Sequence, residues 1–94
     1  MLEKTIERKV CDYARLKGFL AYKFTSPQRR SVPDRLFISP KGKMFFMELK
    51  APGKHPTDGQ YREIRRLREH GVDVYIVDSV EQGMEIIDDY EFAQ

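Results

Sequence analysis

The first third of the chain has the pattern of a helix followed by a short strand and a loop. In residues 2–17, apolar residues recur at spacings of three and four with charges between them, which predicts an amphipathic helix ending at Gly18. Residues 19–24 (FLAYKF) are aromatic and few, as is typical of a strand. The segment SPQRRSVP then predicts a basic loop with two prolines that leads into Asp34.

The centre of the sequence has the pattern of a β-hairpin. Residues 35–39 and 43–50 both predict strands, and Pro40-Lys41-Gly42 between them predicts a three-residue loop in which Gly42 adopts a left-handed conformation. These two strands are therefore expected to be antiparallel neighbours.

The last part of the chain alternates helix, strand and helix. The segment from Thr57 to Gln60 predicts a capping box at the start of a helix that Gly71 closes. Residues 72–77 predict a fourth strand, and Ser79 is expected to cap a final helix. The order α-β-β-β-α-β-α predicts an α/β fold in one domain, residues 1–94. Its four-stranded mixed sheet is flanked by helices, and the hairpin supplies the middle strands.

The predicted hairpin register brings two acids together. A loop at 40–42 pairs Ser39 with Lys43, and counting outward places Asp34 directly opposite Glu48. Two carboxylates opposed across a ladder destabilise a sheet unless a cation lies between them, and a divalent metal is the natural candidate. Because side chains alternate along a strand, Lys50 is expected on the same face as Glu48.

Other interpretations of these residues remain open. Glu48 and Lys50, or Asp34 and Arg35, can form a plain ion pair at a strand end. Glu7 borders the apolar stripe of the first helix and either faces the sheet as a third carboxylate or is an exposed helical acid. Three carboxylates suit Mg²⁺ or Mn²⁺, whereas the two histidines have no partner at zinc-ligand spacing.

The distribution of charge along the sequence indicates a polyanion as a binding partner. Residues 1–68 contain all 17 Lys and Arg with seven acids, and residues 69–94 contain eight acids and no Lys or Arg. The basic part is suited to nucleic acid, although solvated helix faces give the same pattern. The single cysteine, Cys11, lies in an apolar stretch and is expected in the core. The absence of a signal peptide or of a long apolar segment predicts an intracellular, cytoplasmic protein without a membrane partner.

These motifs together resemble a known family. Val32-Pro33-Asp34, 13 intervening residues and Glu48-Leu49-Lys50 are similar to the core of the PD-(D/E)xK nucleases, which have a restriction-endonuclease-like fold. The segments VPDRLFI and MELKAPGKHP, with Gln60 opening the next helix, resemble more specifically the virus-type replication-repair nuclease domain, VRR-NUC. The resemblance covers nearly the whole chain.

The resemblance implies roles for individual residues. Asp34, Glu48 and the carbonyl of Leu49 resemble metal ligands, and Lys50 resembles the catalytic lysine. Glu7 matches the helix acid better than Glu3, because its distance from Gly18 is similar to that in archaeal junction resolvases. Gln60 is interpreted equally well as an active-site residue or as a helix cap. We predict nucleic-acid contacts at Arg29, Arg30, Arg35, Lys54 and Arg62.

The resemblance also implies a reaction and partners. It predicts an endonuclease dependent on Mg²⁺ or Mn²⁺, with no small-molecule cofactor, from a bacterium or a phage-infected cell. Members of this size are similar to Holliday-junction resolvases of DNA recombination and repair, so a homodimer acting on four-way junctions is the leading expectation. A flap, nicking or restriction-like endonuclease is an alternative, and an inert nucleic-acid-binding module is a second one.

Overall fold

A computed structural model describes residues 1–93 and contains three helices and four strands within that range. The helices are α1 (Glu3–Leu16), α2 (Asp58–Glu69) and α3 (Val80–Glu91). The strands are β1 (Leu20–Lys23), β2 (Arg35–Ile38), β3 (Met44–Leu49) and β4 (Val74–Val77). The predicted order α-β-β-β-α-β-α is confirmed.

The four strands form one mixed sheet in the order β1-β2-β3-β4. β1, β2 and β3 pair in antiparallel fashion, whereas β3 and β4 are parallel and connected through α2. In the β2–β3 hairpin, Ser39 N donates to Lys43 O at 2.8 Å, and Gly42 has a φ of 84°. The hairpin therefore has the predicted loop, with Gly42 in the left-handed region that favours glycine.

Helices cover both faces of this sheet. α1 packs against α3, β1 and β3, and α3 also contacts β4. The odd-numbered residues of β3, namely Phe45, Met47 and Leu49, belong to the buried core that includes Ile6 of α1 and Ile87 of α3. The even-numbered residues of β3 point the other way, and Glu48 among them contacts α2. The alternation predicted for this strand is confirmed.

Several predicted boundaries shift by one or two residues. β1 begins at Leu20 rather than 19, and β4 begins at Val74 rather than 72, because Gly71 and Val72 still bond back to α2. Cys11 is buried in the core as predicted. Within residues 1–93, the helices are all too short or too polar to cross a bilayer.

Candidate active site

The ends of β2 and β3 hold two carboxylates close together. Arg35 pairs with Met47 in the ladder, so Asp34 and Glu48, the next residues outward, face each other as the sequence predicted. The Asp34 side chain accepts a hydrogen bond from the amide N–H of Leu49, with 2.8 Å between Oδ2 and N. The backbone of β3 thus fixes the Asp34 carboxylate beside the residue that follows Glu48.

Glu48 is almost fully buried, with 1% of its surface exposed. Its Oε2 accepts a hydrogen bond from Gln60 Nε2 at 2.9 Å and lies 3.6 Å from Lys50 Nζ. Its Oε1 is buried and has no hydrogen-bond partner among the residues that the structure describes. A buried carboxylate oxygen without a partner is costly, so this atom is ready to bind a further group.

Burial and the neighbouring acid favour the neutral form of Glu48. Burial is the main cause that raises the pKa of Glu48, and the charge of Asp34 raises it further, whereas Lys50 lowers it. The pKa of Glu48 is therefore about 7. The pKa of Asp34 is raised as well, chiefly by burial, although the Leu49 N–H lowers it and Glu7 raises it. Two close carboxyl groups with raised pKa values, beside a lysine, are typical of a functional site.

Gln60 makes both contacts that the sequence left as alternatives. The side-chain Oε1 of Gln60 accepts a hydrogen bond from the backbone N–H of Thr57 at 2.8 Å. The backbone N–H of Gln60 donates to Thr57 Oγ1 at 3.2 Å, which completes a capping box at the start of α2. The same side chain donates to Glu48 through Nε2. The cap therefore holds the amide group of Gln60 at the position from which it reaches Glu48.

Glu7 does not join Asp34 and Glu48 as a third carboxylate. Its Oε2 lies 2.6 Å from Arg35 Nε, and both side chains of this pair are less than one fifth exposed. Within residues 1–93, the structure has no group of three or more acids, histidines or cysteines placed to hold a metal ion. Glu7 is still near enough to raise the pKa of Asp34, whereas Glu3 is exposed at the start of α1.

The predicted nucleic-acid contacts fall into two groups. Arg30, Lys54 and Arg62 are exposed, as a contact with DNA requires. Arg35 is engaged with Glu7 and mostly buried, so its guanidinium supports α1 on the sheet, and a DNA contact at Arg35 stays a prediction. Arg29 is about half-exposed and is held by Glu63, which is buried.

Glu63 was not predicted from the sequence. It lies among the arginines of α2, three residues after Gln60, a spacing that places both side chains on the same side of the helix. An acid that shares the inward side of a helix with an active-site residue, inside an arginine run, is the signal that would have found it.

A divalent metal fits the groups that the structure places here. Mg²⁺ is commonly bound through one or two carboxylates and keeps several waters, so a third acid is not required. Asp34 and Glu48 are the two carboxylates, and the free Oε1 of Glu48 supplies an anionic oxygen. Whether the carbonyl of Leu49 is a ligand stays a prediction.

Known proteins resemble this chain in sequence and in structure. It is 49% identical over 77 residues to the protein named "Putative nuclease p44" of Acyrthosiphon pisum secondary endosymbiont phage 1. These 77 residues cover 82% of this chain and 83% of that protein. A solved structure described as "VRR_NUC domain" has a TM-score of 0.85 and 30% identity, with 94% of this chain and 96% of the other covered. No protein-family model matches the sequence.

Proposed function

Because this chain belongs to the VRR-NUC family, and is a nuclease of that type, we propose that it hydrolyses DNA phosphodiester bonds with the aid of Mg²⁺ or Mn²⁺. The observation that carries the metal dependence is the buried Oε1 of Glu48, which has no partner among the described residues and lies on the carboxylate facing Asp34. A divalent ion at this point would neutralise two carboxylates whose pKa values are both raised.

Asp34, Glu48 and Lys50 are the proposed catalytic residues. Asp34 and Glu48 would hold the metal, which when bound would supply a water of lowered pKa and polarise the scissile phosphate. Lys50, within 3.6 Å of Glu48, orients the attacking water and neutralises charge that develops on the phosphate. Gln60 and the Leu49 N–H are positioning groups, since each binds one of the two carboxylates.

The experiment that tests this function is a cleavage assay with four-way junction, flap and linear duplex DNA side by side. Each substrate is incubated with Mg²⁺, Mn²⁺, Ca²⁺ or EDTA. We expect cleavage with Mg²⁺ or Mn²⁺ and none in EDTA. Equal cleavage in EDTA would contradict the metal role, and the absence of cleavage on all three substrates would contradict the nuclease assignment.

We further propose that the chain acts as a homodimer on four-way junctions. Each chain supplies one candidate active site, and symmetric cutting of two strands requires two sites. The charge split of the sequence does not add to this proposal, because the acidic α3 contacts α1 and Lys17 of its own chain. Asp88 accepts from Tyr13, and Glu91 lies 3.6 Å from Lys17 Nζ.

Mass measurement in solution and mapping of both cuts on a mobile junction test the dimer. Paired, symmetric cuts by a species of twice the chain mass are expected. A monomer that incises flap or linear duplex DNA as readily as a junction would exclude junction resolution, and the flap or nicking alternative would then hold.

The two contacts of Gln60 can be separated by mutation. Thr57→Ala removes the Oγ1 acceptor of the capping box but keeps the bond from its backbone N–H to Gln60 Oε1, and it is expected to lower the free energy of unfolding by about 1 kcal/mol with most of the cleavage rate retained. Gln60→Ala removes the bond from Thr57 N and the contact with Glu48, whereas the backbone N–H of residue 60 still donates to Thr57 Oγ1, so a smaller loss of stability is expected together with a clearly slower cleavage. Urea unfolding and initial cleavage rates measure the two effects. Equal cleavage by both variants would assign Gln60 to the cap alone.

A further inference from the structure

A basic cavity lies between the loop before Asp34 and the first turns of α2. Its volume is about 370 Å³, and the charged side chains that line it are four arginines and one acid: Arg29, Arg30, Arg62, Arg66 and Glu63. The two segments meet closely, because a Cβ on Gly59 of α2 would lie 3.1 Å from Ser31 Oγ of the loop. We call this cavity the arginine pocket.

Glu63 holds one wall of the arginine pocket in place. It is 7% exposed, and its Oε1 accepts hydrogen bonds from Arg29 Nε at 3.2 Å and Nη2 at 3.0 Å. The same oxygen lies 3.8 Å from Arg66 Nε. Because a buried carboxylate needs a cationic partner, Arg29 is fixed on the loop side and its remaining guanidinium N–H groups stay available.

The arginine pocket keeps a strong positive charge. One carboxylate cannot neutralise four guanidinium groups, and Arg30 and Arg62 form no ion pair with any residue in 1–93. Planar guanidinium groups donate two parallel hydrogen bonds to phosphate oxygens, and arginine is the residue most used for this kind of recognition. The chemistry of the lining therefore favours a phosphate group.

The arginine pocket adjoins the candidate active site along both of its segments. Ser31 lines the cavity and lies three residues before Asp34. Gly59 lines it too, and the next residue, Gln60, donates a hydrogen bond to Glu48. A DNA strand whose scissile phosphate lay at Asp34 and Glu48 would therefore pass near the arginine pocket.

We propose that the arginine pocket binds a backbone phosphate of the DNA strand next to the one that is cleaved, with Glu63 as the positioning residue that holds Arg29 for this contact. The inference rests on the proposed nuclease function and specifies how its substrate is held. Such a contact fixes the register of the strand without reading its sequence.

Binding measured without cleavage gives the first test. The full chain in EDTA is titrated with a junction whose cut position has been mapped, over a range of salt concentrations. Arg62→Ala is expected to weaken binding about tenfold and to lower the salt slope by about one. Arg65→Ala is the matched control, since Arg65 is also exposed on α2 but does not line the pocket. An effect of Arg65→Ala as large as that of Arg62→Ala would overturn the proposal.

Glu63→Gln tests the positioning role with a side chain of the same shape. We expect a raised KM with an unchanged kcat, because only uniform binding of the strand is lost. Thermal unfolding establishes that the variant is folded. If it does not fold, Arg29→Lys keeps a cation beside Glu63 but loses the planar guanidinium, and the same rise in KM is expected. A fall in kcat without a change in KM would contradict the positioning role.

Single neutral methylphosphonates identify the phosphate itself. The methylphosphonates are placed one at a time around the cut. At one position the substitution should weaken DNA binding by the wild-type chain about tenfold but leave DNA binding by Arg62→Ala unchanged. Additive losses at every position would overturn the proposal. If this pattern is found but Mg²⁺ and Mn²⁺ support no cleavage, the nuclease function fails while the arginine pocket remains a phosphate site.

Discussion

Asp34→Asn, Glu48→Gln and Lys50→Ala are each expected to abolish DNA cleavage in folded protein. The first two remove a negative charge from the proposed metal site, and the third removes the cation that lies 3.6 Å from Glu48. Loss of one such electrostatic contact lowers kcat by roughly a hundredfold or more. Initial rates with Mg²⁺ on the best of the three DNA substrates measure the effect.

Matched controls separate this loss from unfolding and from weak binding. Glu81→Gln changes an exposed acid on α3 and Lys41→Ala an exposed lysine in the hairpin loop, so both are expected to cleave normally. DNA binding by Lys50→Ala should largely persist, since most of the affinity comes from other phosphate contacts. Full cleavage by any one of the three site variants would remove that residue from the mechanism.

The sequence was sufficient to predict the centre of the site because a short hairpin loop determines register. Once Ser39 pairs with Lys43, each outward step is fixed by the period of two along a strand, and Asp34 must face Glu48. The alternation along β3 also separates the core residues Phe45 and Met47 from Glu48. Both inferences depend on local geometry alone.

The partners of Glu7 and Gln60 depend on how helices lie on the sheet, which no local pattern gives. The sequence left Glu7 open between the sheet and solvent. In the structure it lies on the inward side of α1, but α1 lies over the face that carries Arg35, opposite to the one that carries Asp34 and Glu48. Gln60 was ambiguous because the capping motif accounts for it completely. Its second contact appears only when α2 is packed against the end of β3.

The raised pKa of Glu48 leads to a prediction about stability without divalent metal. The folded state holds the Glu48 proton up to a pH of about 7, whereas the unfolded chain releases it near the ordinary pKa of a glutamate, 4.5. Between these values the folded state binds more protons, so the free energy of unfolding falls as pH rises. Above pH 7 the loss is complete and corresponds to roughly 3 kcal/mol. Below 4.5 both states are protonated and the contribution disappears.

Urea unfolding of wild type and Glu48→Gln in EDTA, from pH 4 to pH 8.5, measures the contribution of Glu48 to the free energy of unfolding. The two proteins should be similar in stability at pH 4, and the variant should be more stable at pH 8 by an amount that includes the coupled change at Asp34. Mg²⁺ at a hundred times its dissociation constant should then stabilise the wild type by about 2.7 kcal/mol and the variant much less. If the free energies of unfolding of the two proteins changed in parallel with pH, the pKa of Glu48 would not be raised in the folded state. Equal stabilisation by Mg²⁺ would place the metal elsewhere, because the oxygen without a partner belongs to Glu48.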